Sequence, residues 1–178
     1  MAKIKTPEKV LPITGLIYVE EFSVDEALKK FADDVGGILL KSGKIPFTHT
    51  TYYNKEMGGT LLRQWVAFEK LIDPDFLAHL KIKSNRVENE YLHKNGGRQI
   101  NVDPGLISMS NVILASTKNY SHRIYLGKGI YGEVTLIYKG HQFNPLEWTY
   151  PDYREKIALD FFTEAREMLK ERLAPLEI

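Results

Sequence analysis

Apolar positions recur at two spacings along this chain, and the switches between them outline its elements. Ile13 to Glu20 is mostly apolar and rich in Ile, Tyr and Val, which reads as a strand. Ser23-Val-Asp-Glu26 follows with capping-box spacing. Val24, Ala27, Leu28 and Phe31 then recur at helical intervals until Gly36-Gly37. Ile38 to Phe47 looks extended, and Leu61 to Phe68 alternates as a strand with two partly buried faces. Asp73-Pro74 opens a second helix, with Leu77, Leu80, Val87 and Tyr91 on one face and Asn95-Gly96-Gly97 as its stop. Ile100 to Val102 forms a short strand before a turn spelled Asp103-Pro104-Gly105, and Asn111 to Ser116 a further strand. His122 to Lys139 is two β-rich runs around Gly127-Lys128-Gly129, a hairpin. Pro151 opens a last helix with the stripe Ala158, Phe161, Phe162, Ala165, Leu169 and Leu173.

These signals place three principal helices near residues 24–35, 75–93 and 152–172. The order β-α-β-β-α-β, then a strand, a hairpin and a helix, predicts an α+β protein. Its sheet is mainly antiparallel with helices packed largely on one face, and its N-terminal half has ferredoxin-like order. With no repeat and no linker-like stretch, residues 1–178 are expected to form one domain.

Composition removes several chemistries. There is no cysteine, hence no disulfide, thiolate nucleophile or thiolate metal site. Lys and Arg number 24 against 23 Asp and Glu, so net charge points to neither nucleic acid nor membrane. No apolar run approaches a bilayer span and the N-terminus lacks a signal-like apolar core, which makes a cytoplasmic location the expectation.

The most suggestive local pattern is Gly127-Lys-Gly-Ile-Tyr-Gly-Glu-Val134, which spells G-x-G-x-x-G-x-V. A dinucleotide site would need a helix after it, but Val134 to Tyr138 is a strand. A protein kinase would need H-R-D and D-F-G motifs, and neither is present. Two readings remain: a tight turn needing glycine for positive φ, or a tip whose amides approach an anion. A three-residue loop puts Leu126 opposite Ile130, Tyr125 opposite Tyr131 and Arg123 opposite Glu133. His122, Ile124, Leu126, Ile130, Val134 and Leu136 then share a core face, and Arg123, Tyr125, Tyr131, Glu133 and Thr135 an outer face with an exposed ion pair. The candidate ligand site is therefore Arg123, Tyr125, Gly127, Lys128, Gly129, Tyr131, Gly132 and Glu133, with a phosphate-bearing small molecule as the expected partner and no cofactor or catalytic residue assigned.

Other short motifs fail on context. His49-Thr-Thr51 matches one half of a two-histidine phosphoesterase signature, but no second copy exists. Gly36 to Ser42 has Leu40 where a P-loop needs glycine. No histidine or carboxylate spacing fits a zinc or EF-hand site. Trp148-Thr-Tyr-Pro-Asp-Tyr153 reads as an aromatic lid on the core, or as a stacking platform for a base.

Four segments together resemble a prokaryotic family known only as a domain of unknown function, some of whose members carry the label "GTP-binding protein". They are Phe68 to Pro74, Asn101 to Gly105, Leu114 to Leu136 and Trp148 to Tyr153. The resemblance implies no catalytic residues. Two functions stay open: a small-molecule or nucleotide/phosphate-binding protein using the glycine-rich hairpin, or a non-catalytic module binding protein or RNA on an exposed sheet face. A concave pocket with converging polar groups separates the first from the second.

Overall fold

Leu11–Val19 forms β1, and every residue of it is buried. A strand apolar on both faces needs a layer on each side, and the computed structural model, which describes residues 3–174, supplies both. β1 pairs antiparallel with Leu61–Phe68 on one side and Ile100–Ile107 on the other. In chain order the strands are β1, β2 (Ile38–Lys41), β3 (Ile45–Pro46), β4 (Leu61–Phe68), β5 (Ile100–Ile107), β6 (Asn111–Ser116), β7 (Ile124–Gly127), β8 (Ile130–Lys139) and β9 (Gln142–Pro145). The sheet runs β2-β4-β1-β5-β6-β8-β7, with β3 beside β4 and β9 beside β8, and every pairing is antiparallel. In its first half β4 separates β1 from β2, which is the split βαβ order of a ferredoxin-like unit.

The helices are α1 (Asp25–Ala32), a single turn α2 (Asn54–Met57), α3 (Leu77–Glu90) and α4 (Lys156–Leu173). Even-numbered β1 and β4 residues such as Leu16, Tyr18, Val66 and Phe68 pack with Leu28 and Phe31 of α1 and Leu80 and Val87 of α3. Odd-numbered ones, Leu11, Ile13, Trp65 and Ala67, pack under α4. The stripe read from the sequence is its buried face: Ala158, Phe161, Phe162, Ala165 and Leu169 are all buried. α1 and α3 thus share one face, and α4 covers part of the other.

Three local expectations change. α1 has no side-chain cap: Asp25 and Glu26 act on its first turn through charge alone. Asp73 likewise caps nothing, because its carboxylate takes Lys9 Nζ at 2.8 Å. Asp103-Pro104-Gly105 is no turn but the middle of β5. Pro104 is tolerated there because Val102 N, two residues earlier on the same strand edge, points away from β1 to Glu88 Oε1 at 2.7 Å. Pro104 therefore lacks a donor only on the edge that has not yet met β6, since that pairing starts at Gly105 with Leu114.

The hairpin turns on two residues, Lys128 and Gly129, both at positive φ (55° and 78°), which is the twist-matched solution for paired strands. Gly127 pairs with Ile130, and Leu126 is an extra residue bulged out of β7, so Tyr125 still meets Tyr131. A two-residue loop plus a bulge thus restores the register expected of a three-residue loop from Tyr125–Tyr131 onward, while the expected Leu126–Ile130 pair is replaced by Gly127–Ile130. A second bulge at Thr135 in β8 turns Leu136 to the α4 side, away from Ile130. The expected core face is interrupted accordingly. Ile124 is 72% exposed, and Leu126 is exposed too, because the hairpin overhangs the last helix-covered strand.

Candidate functional site

β5 and β6 pair over only three residues and then part. α3 lies along the freed edge of β5: Lys81 Nζ reaches Val102 O at 3.4 Å and Asp103 Oδ1 at 3.3 Å. On the α4 side this split opens into a cavity of about 660 Å³, which β1, β4, β5, β6, β8 and the segment around Tyr150–Tyr153 all help to line. α4 does not reach over it.

Register sets its floor. Arg63, Ile17 and Asn101 lie in one row across β4, β1 and β5, and Trp65, Gly15 and Asp103 in the next. Gly15 is required by space. A Cβ there would stand 2.5 Å from Tyr153 Oη and 2.8 Å from Arg63 Nη2, so the guanidinium and the phenol lie directly over the β1 backbone. Arg63 is 1% exposed and sits between the rings of Trp65 (4.9 Å) and Tyr153 (4.8 Å). Its Nε is 2.8 Å from Asp152 Oδ2, close enough for an ion pair but off the hydrogen-bond axis, and neither Nε nor Nη1 has a hydrogen-bond partner within the protein. Desolvation works against its charge, yet Tyr153, Asp152 and Asp103 outweigh it and hold the guanidinium above its ordinary pKa.

Of the other cations lining the cavity, all but Lys118 face carboxylates. Arg98 is bidentate to Glu56 (2.6 and 3.0 Å) and also bonds Glu88 and Asn101, both at 2.8 Å. That contact holds the Glu56 carboxyl below its usual value, whereas burial raises that of Glu88. At the far wall Arg123 donates from Nε to Glu133 Oε2 (2.7 Å), from Nη1 to Lys118 O (2.9 Å) and from Nη2 to Tyr150 Oη (3.0 Å). Burial, with Glu133 next, raises the Tyr150 phenol. Glu133 Oε2 also bonds His122 Nε2 at 3.0 Å, and the His122 ring stacks on Trp148 at 4.8 Å. His49, at the rim, pairs with Glu155.

The sequence-predicted residues divide between two places. Arg123 and Glu133 line the cavity and hold each other. Their ion pair is not the exposed one expected: the side chains are 10% and 2% exposed, because the Trp148–Tyr153 segment folds over them. His122 is correspondingly not on the side of Ile124, since its ring faces Glu133. Tyr125 and Tyr131 meet at a 59° tilt with ring centroids 5.3 Å apart along the hairpin, outside the cavity. Gly127, Lys128 and Gly129 form the exposed tip, where Gly127 and Lys128 border a shallow depression with Phe76 and His79, and Gly132 lies under Leu126. Trp148–Tyr153 is part lid and part wall: Thr149, Asp152 and Tyr153 are buried, Trp148 and Tyr150 partly exposed.

The sequence reading missed Arg63, Lys81, Asn101, Asp103 and Asp152. One signal was available, a lone arginine inside the apolar run Leu61 to Phe68. Among the described residues no group of three or more His, Asp or Glu is placed to hold a metal ion, and no helix is long and apolar enough to cross a membrane.

No curated protein and no solved structure is detectably similar to the chain. Its four recognisable segments are spread between Phe68 and Tyr153, and all of them fall within residues 8–169, which match one family along almost the whole fold just described. The chain belongs to that family, whose description is Domain of unknown function (DUF4416).

Proposed function

We propose that the protein binds a small molecule bearing one anionic group, a phosphate in the form favoured here, in the cleft where β5 and β6 part. The observation that carries this reading is Arg63: a buried guanidinium on the cleft floor with two nitrogens lacking a hydrogen-bond partner in the protein. Buried polar groups are nearly always bonded, and a guanidinium fork matches phosphate or carboxylate oxygens. A single anionic group fits better than a triphosphate. Arg98, Arg123 and Lys81 already face carboxylates, so little free positive charge remains for further phosphates. Lys118, at the rim over the Tyr52 ring (5.2 Å), is the cation best placed to add to Arg63.

This moves the site from the hairpin tip to the hairpin base. Calorimetric titration with inorganic phosphate, hexyl phosphate and GTP tests it, using wild type, Arg63→Lys and Lys128→Gly. Arg63→Lys keeps the charge opposite Asp152 but loses the fork, and should weaken hexyl phosphate roughly ten-fold or more. Lys128→Gly should leave it unchanged. Absence of binding to wild type at millimolar ligand sinks the proposal, and a loss confined to Lys128→Gly returns the site to the tip.

One observation favours the other reading, docking of protein or RNA on the hairpin: Tyr120, Ile124 and Tyr125 are 66%, 72% and 60% exposed along one edge. Tyr125→Ser would abolish that docking and leave the cleft untouched.

A further inference from the structure

Resting on the anion reading of Arg63, we infer that the ligand is two-ended: opposite its anionic group it presents a hydrogen-bond donor, hydroxyl or amine, to Glu133 Oε1. Glu133 is 3% exposed and lines the same cleft. Its two oxygens are used unequally. Oε2 accepts from both Arg123 Nε and His122 Nε2, whereas Oε1 is buried without a donor in the protein. A buried carboxylate oxygen left bare is costly, and a ligand donor is the group that would satisfy it. Arg123 already offsets the charge of Glu133, so the requirement is for a donor and not for a second cation. Since Oε1 accepts and cannot donate, a second anionic end is rejected there.

The separation of the ends follows from the sheet. Arg63 Nη2 lies over Gly15 on β1, and Glu133 projects from β8 on the same face, three strand spacings away. At about 4.8 Å per paired spacing this is roughly 14 Å between backbones, more where β5 and β6 have parted, and only the Glu133 side chain shortens it, because the reach of Arg63 to β1 is already counted. A compact anion such as inorganic phosphate cannot bridge that gap. The chemical class is an extended molecule with a single anionic group at one end and a hydroxyl or amine at the other.

The test uses aminohexyl phosphate, hydroxyhexyl phosphate and hexyl phosphate as probes, titrated into the full chain and into Glu133→Gln. In the variant the amide oxygen turns to Arg123 and His122, leaving the NH₂ to face the cleft. The two donor-ended probes should bind wild type roughly ten-fold tighter than hexyl phosphate. That ratio should fall to about one in Glu133→Gln, whatever common gain in anion affinity the lost carboxylate charge gives all three probes. If Glu133→Gln does not fold by circular dichroism, Glu133→Asp, which retracts the carboxylate, should lose the ratio equally. A ratio unchanged by the substitution, or near one in wild type, overturns the donor end while leaving the anion site standing. Failure of all three probes to bind wild type overturns the anion reading, and this inference with it.

Discussion

Two stretches of the same sheet face behave oppositely. Towards Leu11, the odd-numbered positions of β1 and β4 carry Leu11, Ile13, Trp65 and Ala67 under the aromatic stripe of α4. One pleat further along, the same positions carry Gly15 and Arg63, with Asn101 and Asp103 beside them on β5, and α4 no longer covers them. The backbone pairing is continuous across this boundary, so the strands do not register the change; the side chains do. A sheet face covered by a helix is a core. Left uncovered and furnished with buried charge, the same face is the floor of a polar cleft. The two halves are coupled at Tyr153, which stacks on Phe162 (5.6 Å) from the apolar half and meets the Arg63 guanidinium in the polar half.

That coupling can be broken from either side. The largest effect is expected from Phe162→Ala, which empties the centre of the apolar half. Truncation of a buried Phe costs about 3–5 kcal/mol. Urea denaturation should show that loss, while hexyl phosphate affinity of the folded protein stays within about two-fold if Tyr153 keeps its place. A smaller effect is expected from Gly15→Ala. Its Cβ must displace Tyr153 Oη or the Arg63 guanidinium, both held by packing, at a cost of about 1–3 kcal/mol. Here binding should suffer along with stability, the reverse of the Phe162 result. An alanine there that leaves hexyl phosphate affinity unchanged would mean that the floor residues do not set the site.

The smallest effect concerns pH. Arg98 depresses the Glu56 carboxyl, so the folded state binds that proton more weakly than the unfolded state does. The resulting stability is present above the ordinary glutamate pKa and is lost as pH falls through the depressed one. Urea midpoints of wild type and Glu56→Gln should therefore differ at neutral pH, begin to approach each other below about pH 4.3, and meet only below the depressed Glu56 pKa. A gap that persists in acid would assign the Glu56 contribution to shape and not to charge.

Much of this was legible along the chain. The β-α-β-β-α-β order, the stripe of α4 and the Gly-rich turn all arise from periodicity and local backbone preference, which depend on neighbours in sequence. At Asp103-Pro104-Gly105 local preference misled, because a strand edge left free by β6 tolerates proline and α3 fills the gap. Arg123 and Glu133 were paired correctly by alternation, but their burial was invisible, since it is imposed by Trp148–Tyr153 from farther along the chain. The sequence by itself thus determined the principal helices and strands, their order and one ion pair, but not β3, β9, the single turn α2 or the full length of β5. Only the tertiary structure decided where the sheet parts, which face α4 leaves bare, and that Arg63, Asp103, Glu133 and Asp152 meet there. The reason is physical. Helices and turns are chosen by contacts a few residues apart, whereas a cleft exists where two long-range packings stop, and no local pattern encodes where packing stops.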